Sequence, residues 1–407
     1  MQYRSLKISL AALMIVSLKS LSFAVGSGGY ENQVPHARAM GRANSVVASI
    51  DDASAVTFNP SRLTAVQGGD ISLGVTRQQL KTKFSGSGVS DSSVADASYS
   101  PNFHVAHRFG LEKWGFGLGI NIPQGLATEW SKTGVIAPLA TESSLAATDI
   151  NPGFAYKIGE ALSLGLGLDY YMVKAESKLF YASVPAEVIL KGDGNDLGGN
   201  IGLSYVLNEK HMLGLSYHTG SNVEVDGTLK ITGSPDVNVK TEIMIPAVLQ
   251  LGYAYKPTEQ LTLELDGQWD KWSTFDNQEI KNKGTGQPAV PTTEKDWRNR
   301  WGIGFGTEYA LKPNFFLRGG YAFWSTPIPN KTFEPSTPDS DTHMLTLGAG
   351  TIFQNNITLD FAAQLFWLND RHIDNPTVTP LGANGTYKST AQYFGLNVGY
   401  KFGAPKA

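Results

Sequence analysis

From about residue 70 almost to the C-terminus, apolar residues alternate with small or polar ones. In "ALSLGLGLDYYM", Leu162, Leu164, Leu166 and Leu168 oppose Gly165, Gly167 and Asp169. In "NRWGIGFGTEY", Trp301, Ile303, Phe305 and Tyr309 oppose Arg300, Gly302, Gly304, Gly306 and Glu308. A period of two is the signature of β-strands with two unlike faces. Fourteen such segments are predicted, near 70–78, 100–109, 113–122, 144–158, 161–177, 194–207, 211–226, 238–256, 260–274, 296–311, 314–325, 341–354, 357–371 and 389–403.

Alternation suits both a water-soluble sandwich and a membrane barrel. The connections favour the barrel. Even-numbered strands are followed by very short links, such as Gly110–Glu112, Gly159–Glu160, Asn208–Lys210 and Lys312–Pro313. Odd-numbered strands are followed by loops of roughly 12 to 22 residues, the outer-membrane arrangement of short turns at one end and long loops at the other. Closure also removes exposed sheet edges. The expected fold is an all-β membrane protein, a 14-stranded antiparallel transmembrane β-barrel over residues 68–407. Its apolar face meets lipid and its Gly/Asn/Asp/Glu face meets the lumen.

Residues 25–67 do not alternate. They read as short helices and turns, and Met40, Val46, Val47, Ile50, Val56, Phe58 and Leu63 make them too apolar for a disordered tail. Fourteen strands enclose more space than wall side chains fill, so this stretch is expected as a small plug in the lumen. Ahead of it, Arg4 and Lys7 precede the apolar run Ile8–Leu18 and a small-residue site at Ser22-Phe23-Ala24. Residues 1–24 are therefore expected as a signal peptide.

Composition narrows the function. The net charge of −3 lacks a basic block, which leaves nucleic acid without a footprint. Cysteine is absent, so neither disulfides nor thiolate metal sites arise. The seven histidines show no paired helical spacing, and no G-x-S-x-G elbow occurs. "KGDGNDLGGN" at Lys191–Asn200, like Asp339 and Asp341, reads as loop polarity rather than a metal site. No cofactor and no metal are expected. An outer-membrane lipase is the enzymatic alternative, although His104 falls on the inward parity. A purely structural or adhesin-like barrel is the other.

One strand breaks its own pattern. "GFGLGINIPQGLATEW" alternates from Gly115 to Asn121 and then meets Pro123, Gln124 and Gly125. Proline removes a ladder donor, and glycine reaches dihedrals other residues avoid. Either the third strand bends here and parts from a neighbour, or it ends at Ile122 and Pro123 opens a loop. A bend requires its freed backbone groups to face the lumen, the plug or a ligand, because lipid cannot satisfy them. A second feature is the long loop Ser177–Asn195, apolar at Leu179, Phe180, Val184, Ile189 and Leu190. It either presents a binding surface or extends the strands with internal packing. Lys178 lies in it, and Arg298 and Arg300 open the tenth strand on the lumen parity. A cation there could hold a carboxylate through a charge-assisted hydrogen bond.

"AMGRANSVVASIDDASAVTFNPSRL", "PNFH" at Pro101–His104, "GLATEW" at Gly125–Trp130, "TPIP" at Thr326–Pro329 and "TPDSDTH" at Thr337–His343 together resemble the FadL family. This family comprises outer-membrane transporters of long-chain fatty acids and other hydrophobic compounds, including TodX-like channels for aromatic hydrocarbons. The resemblance implies a hatch whose Asn-Pro-Ala motif stands here as Asn59-Pro60-Ser61. It implies ligand capture at the outer loops, with Lys178 and Arg298 the better-placed cations. It further implies passive release sideways through a gap at the third-strand kink, Pro123–Gly125. Thr342 stands where the family's late loop usually carries arginine. The expected partners are a hydrophobic small molecule and outer-membrane lipid, with the chain acting as a monomer in the bacterial outer membrane.

Overall fold

In the computed structural model, which describes residues 28–86, 88–94, 96–181, 183, 185–375 and 383–403, the chain forms a closed antiparallel barrel of fourteen strands. The expected signal peptide, residues 1–24, lies outside the described residues, as does Val184. The strands are β1 (Gly69–Gly86), β2 (Ser98–His107), β3 (Trp114–Glu129), β4 (Glu142–Ile158), β5 (Leu162–Tyr181) and β6 (Ala186–Val206). Then come β7 (His211–His218, resuming as Ser221–Ile231) and β8 (Val237–Ile245, resuming as Val248–Thr258). The wall continues through β9 (Leu261–Asp270), β10 (Arg300–Lys312), β11 (Phe315–Trp324), β12 (Thr342–Ile352), β13 (Ile357–Leu368) and β14 (Gly385–Phe402). Successive strands pair, and β14 returns to β1 from Gly69↔Phe402 to Ser85↔Thr386, closing the cylinder. No helix among the described residues is long and apolar enough to cross a membrane; the chain crosses with strands.

Parity sorts the side chains. Leu166, Leu168, Ile303, Phe305, Leu396, Val398 and Tyr400 lie on the outer surface, each more than two-fifths exposed. Asp169, Glu264, Gln364 and Asn397 on the opposite parity are buried. Such a surface is unfavourable in water and favourable against acyl chains. At the turn end, Phe109, Gly110, Gly159 and Asn356 adopt positive φ of 51°, 74°, 64° and 64°, letting the chain reverse in a few residues. At the other end β5 and β6 stay paired as far as Tyr181↔Ala186. Within Ser177–Asn195, residues 177–181 and 186–195 are therefore paired strand and not loop, because the alternation carries the ladder on.

The N-terminal segment lies inside the cylinder. It carries α1 (Ala37–Met40), α2 (Ala55–Phe58) and a 3₁₀ turn, Pro60–Ala65. Lumen-facing glycines make room for it. A Cβ at Gly165 would sit 2.2 Å from the Ser61 nitrogen, and one at Gly202 would sit 2.2 Å from Asn59 Oδ1. Ion pairs fasten the turn end: Arg38 to Asp51 (2.6 Å), Asp52 (3.0 Å) and Glu308 (3.0 Å), and Arg318 to Glu308 and Asp360 (each 2.6 Å). Arg42 and Glu264 form a buried pair at 3.0 Å. Glu264, Glu308 and Asp360 come from the lumen side of the strands, whereas Arg38, Arg42, Asp51 and Asp52 come from the segment.

Candidate functional site

The wall is not uniformly sealed. β2 and β3 pair from His107↔Phe116 to Phe103↔Ile120, and there the pairing stops. Above that point Ser98–Asn102 remain bonded to β1. β3 stays with β4, but the register shifts between Asn121↔Asp149 and Gln124↔Ala147, leaving Ile122 and Pro123 as a bulge. Bulges bend the strand that carries the extra residue. The bend turns β3 away from β2. Both strands bordering the rupture carry a proline where they no longer pair with each other, Pro101 and Pro123. β3 thus runs unbroken from Trp114 to Glu129 and does not end at Ile122.

The freed groups of β3 find partners in the N-terminal segment. Asn32 N donates to Pro123 O (2.8 Å), Asn32 Nδ2 to Ile122 O (3.1 Å), and Gly125 N to Tyr30 O (2.8 Å). Glu31 and Gln124 form an antiparallel bridge. The segment is a surrogate strand. Gly125 is absent from the residues with positive φ, so its use here is the N–H it gives to Tyr30 rather than an unusual dihedral.

Residues 28–32 are fixed from several sides. The Asp339 carboxylate accepts from Gly28 N (2.9 Å) and Gly29 N (3.4 Å). Gln78 Nε2 donates to Asn32 Oδ1 (2.8 Å). Arg300 pairs with Glu31 and, at 2.7 Å, with Asp270. Burial pushes the Glu31 carboxyl up to about 8, against the pull of Arg300 and with Asp270 competing for the same guanidinium. Tyr30 donates its hydroxyl to Met244 O and packs on Trp272, Trp297 and Phe275, with ring centroids 4.8, 5.7 and 6.5 Å away.

This segment separates two cavities. The outer one, about 380 Å³, is lined by Tyr30 together with Leu126, Leu145, Leu179, Leu190 and Trp297. The inner one, about 100 Å³, is lined by Glu31, Asn32, Pro123, Gln124, Asp149 and Gln268. Neighbouring residues Tyr30 and Glu31 face different chambers. The inner chamber abuts the bend in β3.

The residues singled out from the sequence fall into different places. Leu179 and Leu190 reach the outer cavity. Phe180 and Ile189 lie on the opposite parity, and Phe180 lies 5.9 Å from Lys132 Nζ instead. Lys178 shares their outward face and is paired with Glu142 (2.7 Å) and Glu176 (3.1 Å), so it does not present its charge to the cavity. Arg298 is exposed, with its backbone N–H on Pro327 O. Arg300 has the expected inward parity but clamps Glu31. Asn59 bonds to its own turn and to the wall: Oδ1 accepts from Ser61 N (3.2 Å) and Ser61 Oγ (2.7 Å), while Nδ2 donates to Val47 O (2.8 Å) and Leu203 O (3.2 Å). Pro60 begins the 3₁₀ turn, where a missing N–H costs nothing. His104 is fully buried and packs edge-on against His36 of the N-terminal segment, with ring centroids 5.4 Å apart.

Several residues that matter carry no local signal. Lys295 lines the outer cavity through a 2.7 Å pair with Glu334. Arg371 joins the two late loop stretches, donating from Nη1 to Asp339 O (2.6 Å) and from Nη2 to Ile328 O. It supplies a guanidinium in this loop region, although Thr342 is not an arginine. Their partners are distant in sequence, so only an inventory of every charge near the loops could have suggested them.

Comparison with known proteins gives the same picture. The chain is 25% identical over 405 residues to the long-chain fatty acid transport protein of Escherichia coli O6:H1, covering 86% of this chain and 89% of that one. It is 24% identical over 407 residues to the 47 kDa outer membrane protein of Pasteurella multocida, covering 89% and 91%. Its fold matches a Pseudomonas aeruginosa FadL homologue with a TM-score of 0.83 at 19% identity, over 92% of this chain and all of that one. It matches the Pseudomonas putida toluene transporter TodX at 0.72 and 17% identity, over 95% and 100%. The family model for outer membrane protein transport proteins (OMPP1/FadL/TodX) matches residues 19–402. The chain belongs to this family of outer-membrane channels for hydrophobic compounds, which are transporters and not enzymes.

Proposed function

We propose that the protein takes up hydrophobic molecules passively, by capture in the outer cavity and lateral release through the rupture between β2 and β3. The N-terminal segment is the hatch, with Asn59-Pro60-Ser61 as its seat on the wall. Displacement of Tyr30–Asn32 joins the two chambers, and the bend at Pro123–Gly125 leads from the inner chamber to the bilayer. One chain encloses the whole path, so a monomer suffices. Fatty acids and aromatic hydrocarbons are the candidate cargo, following the names of the related proteins.

The observation that supports this reading best is the loss of β2–β3 pairing beyond Phe103↔Ile120, with the freed edge of β3 at Ile122–Gly125 covered by the segment rather than by wall. An apolar ligand leaving there enters lipid without crossing water. The reading is tested by zipping the wall: deletion of Ile122 removes the extra residue, and Pro123→Val restores an N–H. The doubly altered protein should fold to the heat-modifiable barrel yet lose at least about tenfold in uptake, a barrier rise of about 1.4 kcal/mol. Undiminished uptake by the folded, zipped barrel would reject lateral release.

A further inference from the structure

The outer cavity holds its charges in balance. Four charged residues line it: Lys295, Glu334, Lys191 and Glu176. Lys295 is nine-tenths buried, lies 6.0 Å from the Phe275 ring, and ends 2.7 Å from Glu334. Glu334 also accepts from Ser336 Oγ at 3.3 Å. Lys191 sits on the outward parity of β6, directly across the ladder from Glu176, which bonds to Lys178 at 3.1 Å. No Lys or Arg occurs at 182–184 or 376–382. Among the described residues, therefore, the buried cation of this cavity, Lys295, is compensated by Glu334, and the other, Lys191, is exposed on the outward parity.

From this balance we infer that the capture cavity selects uncharged hydrophobic molecules over carboxylates, with the Lys295–Glu334 pair setting the preference. The inference rests on the outer cavity being the capture site. An anionic head group reaching Lys295 has to displace Glu334, stranding a half-buried carboxylate beside a second anion. Breaking one side of a desolvated pair is strongly unfavourable. An uncharged ligand covers the leucines and Trp297 and leaves the pair intact. This goes against simple transfer from the relatives named for long-chain fatty acids, and it identifies Glu334 as the residue that excludes the head group.

Matched ligands test it. Binding of dodecanol and of dodecanoate to the purified full-length barrel is measured at pH 8 by tryptophan fluorescence, and the affinity ratio is compared among variants. The native protein should favour dodecanol by about tenfold or more. In Glu334→Gln, which frees the Lys295 ammonium, the dodecanoate-to-dodecanol ratio should rise at least about tenfold. In Lys295→Met the ratio should not rise. Equal binding of the two ligands by the native protein, or an unmoved ratio in Glu334→Gln, overturns the inference while leaving the transport reading intact. Failure of either ligand to bind anywhere near Trp297 counts against the capture site itself.

Discussion

The seam between β14 and β1 and the junction between β2 and β3 are the same kind of structure built in opposite ways. At the seam every register position from Gly69↔Phe402 to Ser85↔Thr386 is paired. At the junction pairing ends at Phe103↔Ile120, after less than half of β3. The seam has no proline or bulge; the junction has Pro101, Pro123 and an extra residue. Lipid offers no hydrogen bonds, so an open ladder there costs several kcal/mol per unpaired group. The junction persists because β3 leans inward and a piece of the same chain replaces the missing neighbour. The lesson is that a membrane barrel can afford a hole only where something inside it takes over the backbone bonds.

Moving a proline from one place to the other breaks this comparison most sharply. Val75→Pro in β1, opposite Leu396 and Pro101, removes a seam donor with no substitute strand behind it. It should destabilise the barrel by about 3 kcal/mol or more, read as loss of the heat-modifiable form. Pro123→Ala should cost less than about 1 kcal/mol, since the carbonyl bonds to Asn32 survive. Equal losses from both substitutions would show that the two junctions do not differ in kind.

A smaller effect sharpens the role of the surrogate strand. Arg300→Met leaves Glu31 and Asp270 without their shared cation, and breaking such a buried arrangement costs about 3 to 5 kcal/mol. Because the Asp339 and Gln124 contacts remain, about 2 kcal/mol of this should fall on the segment. Hydrogen exchange at Tyr30–Asn32 should then speed up by roughly thirtyfold, with seam amides unchanged. Unaltered exchange at those residues would remove Arg300 from the fastening.

Much of this was legible in the chain. Period-two alternation and the unequal connections specify a barrel whose faces are read off by parity, because lipid imposes one rule on every strand. The kink at Pro123 was visible for the same reason: it is a local exception to a global pattern. Which neighbour β3 loses was not visible, since proline marks a missing donor and not a direction. The Ser177–Asn195 hairpin was obscured because Leu179 and Phe180 are both apolar though they face opposite ways. The charges were hardest. The sequence offers Lys178, Arg298 and Arg300 as candidate cations, yet one is paired outward, one is exposed, and one holds Glu31, 269 residues away. Lys295 carries no local signal because Glu334 reaches it from another loop.

The central claim is that Tyr30–Asn32 must leave β3 for cargo to pass. The chain has no cysteine, and Glu31 and Gln124 form a bridge at the bend, a spacing suited to a disulfide. Glu31→Cys with Gln124→Cys should abolish uptake of dodecanol in proteoliposomes when oxidised and restore it on reduction. Uptake by the oxidised protein at the reduced protein's rate would contradict the account.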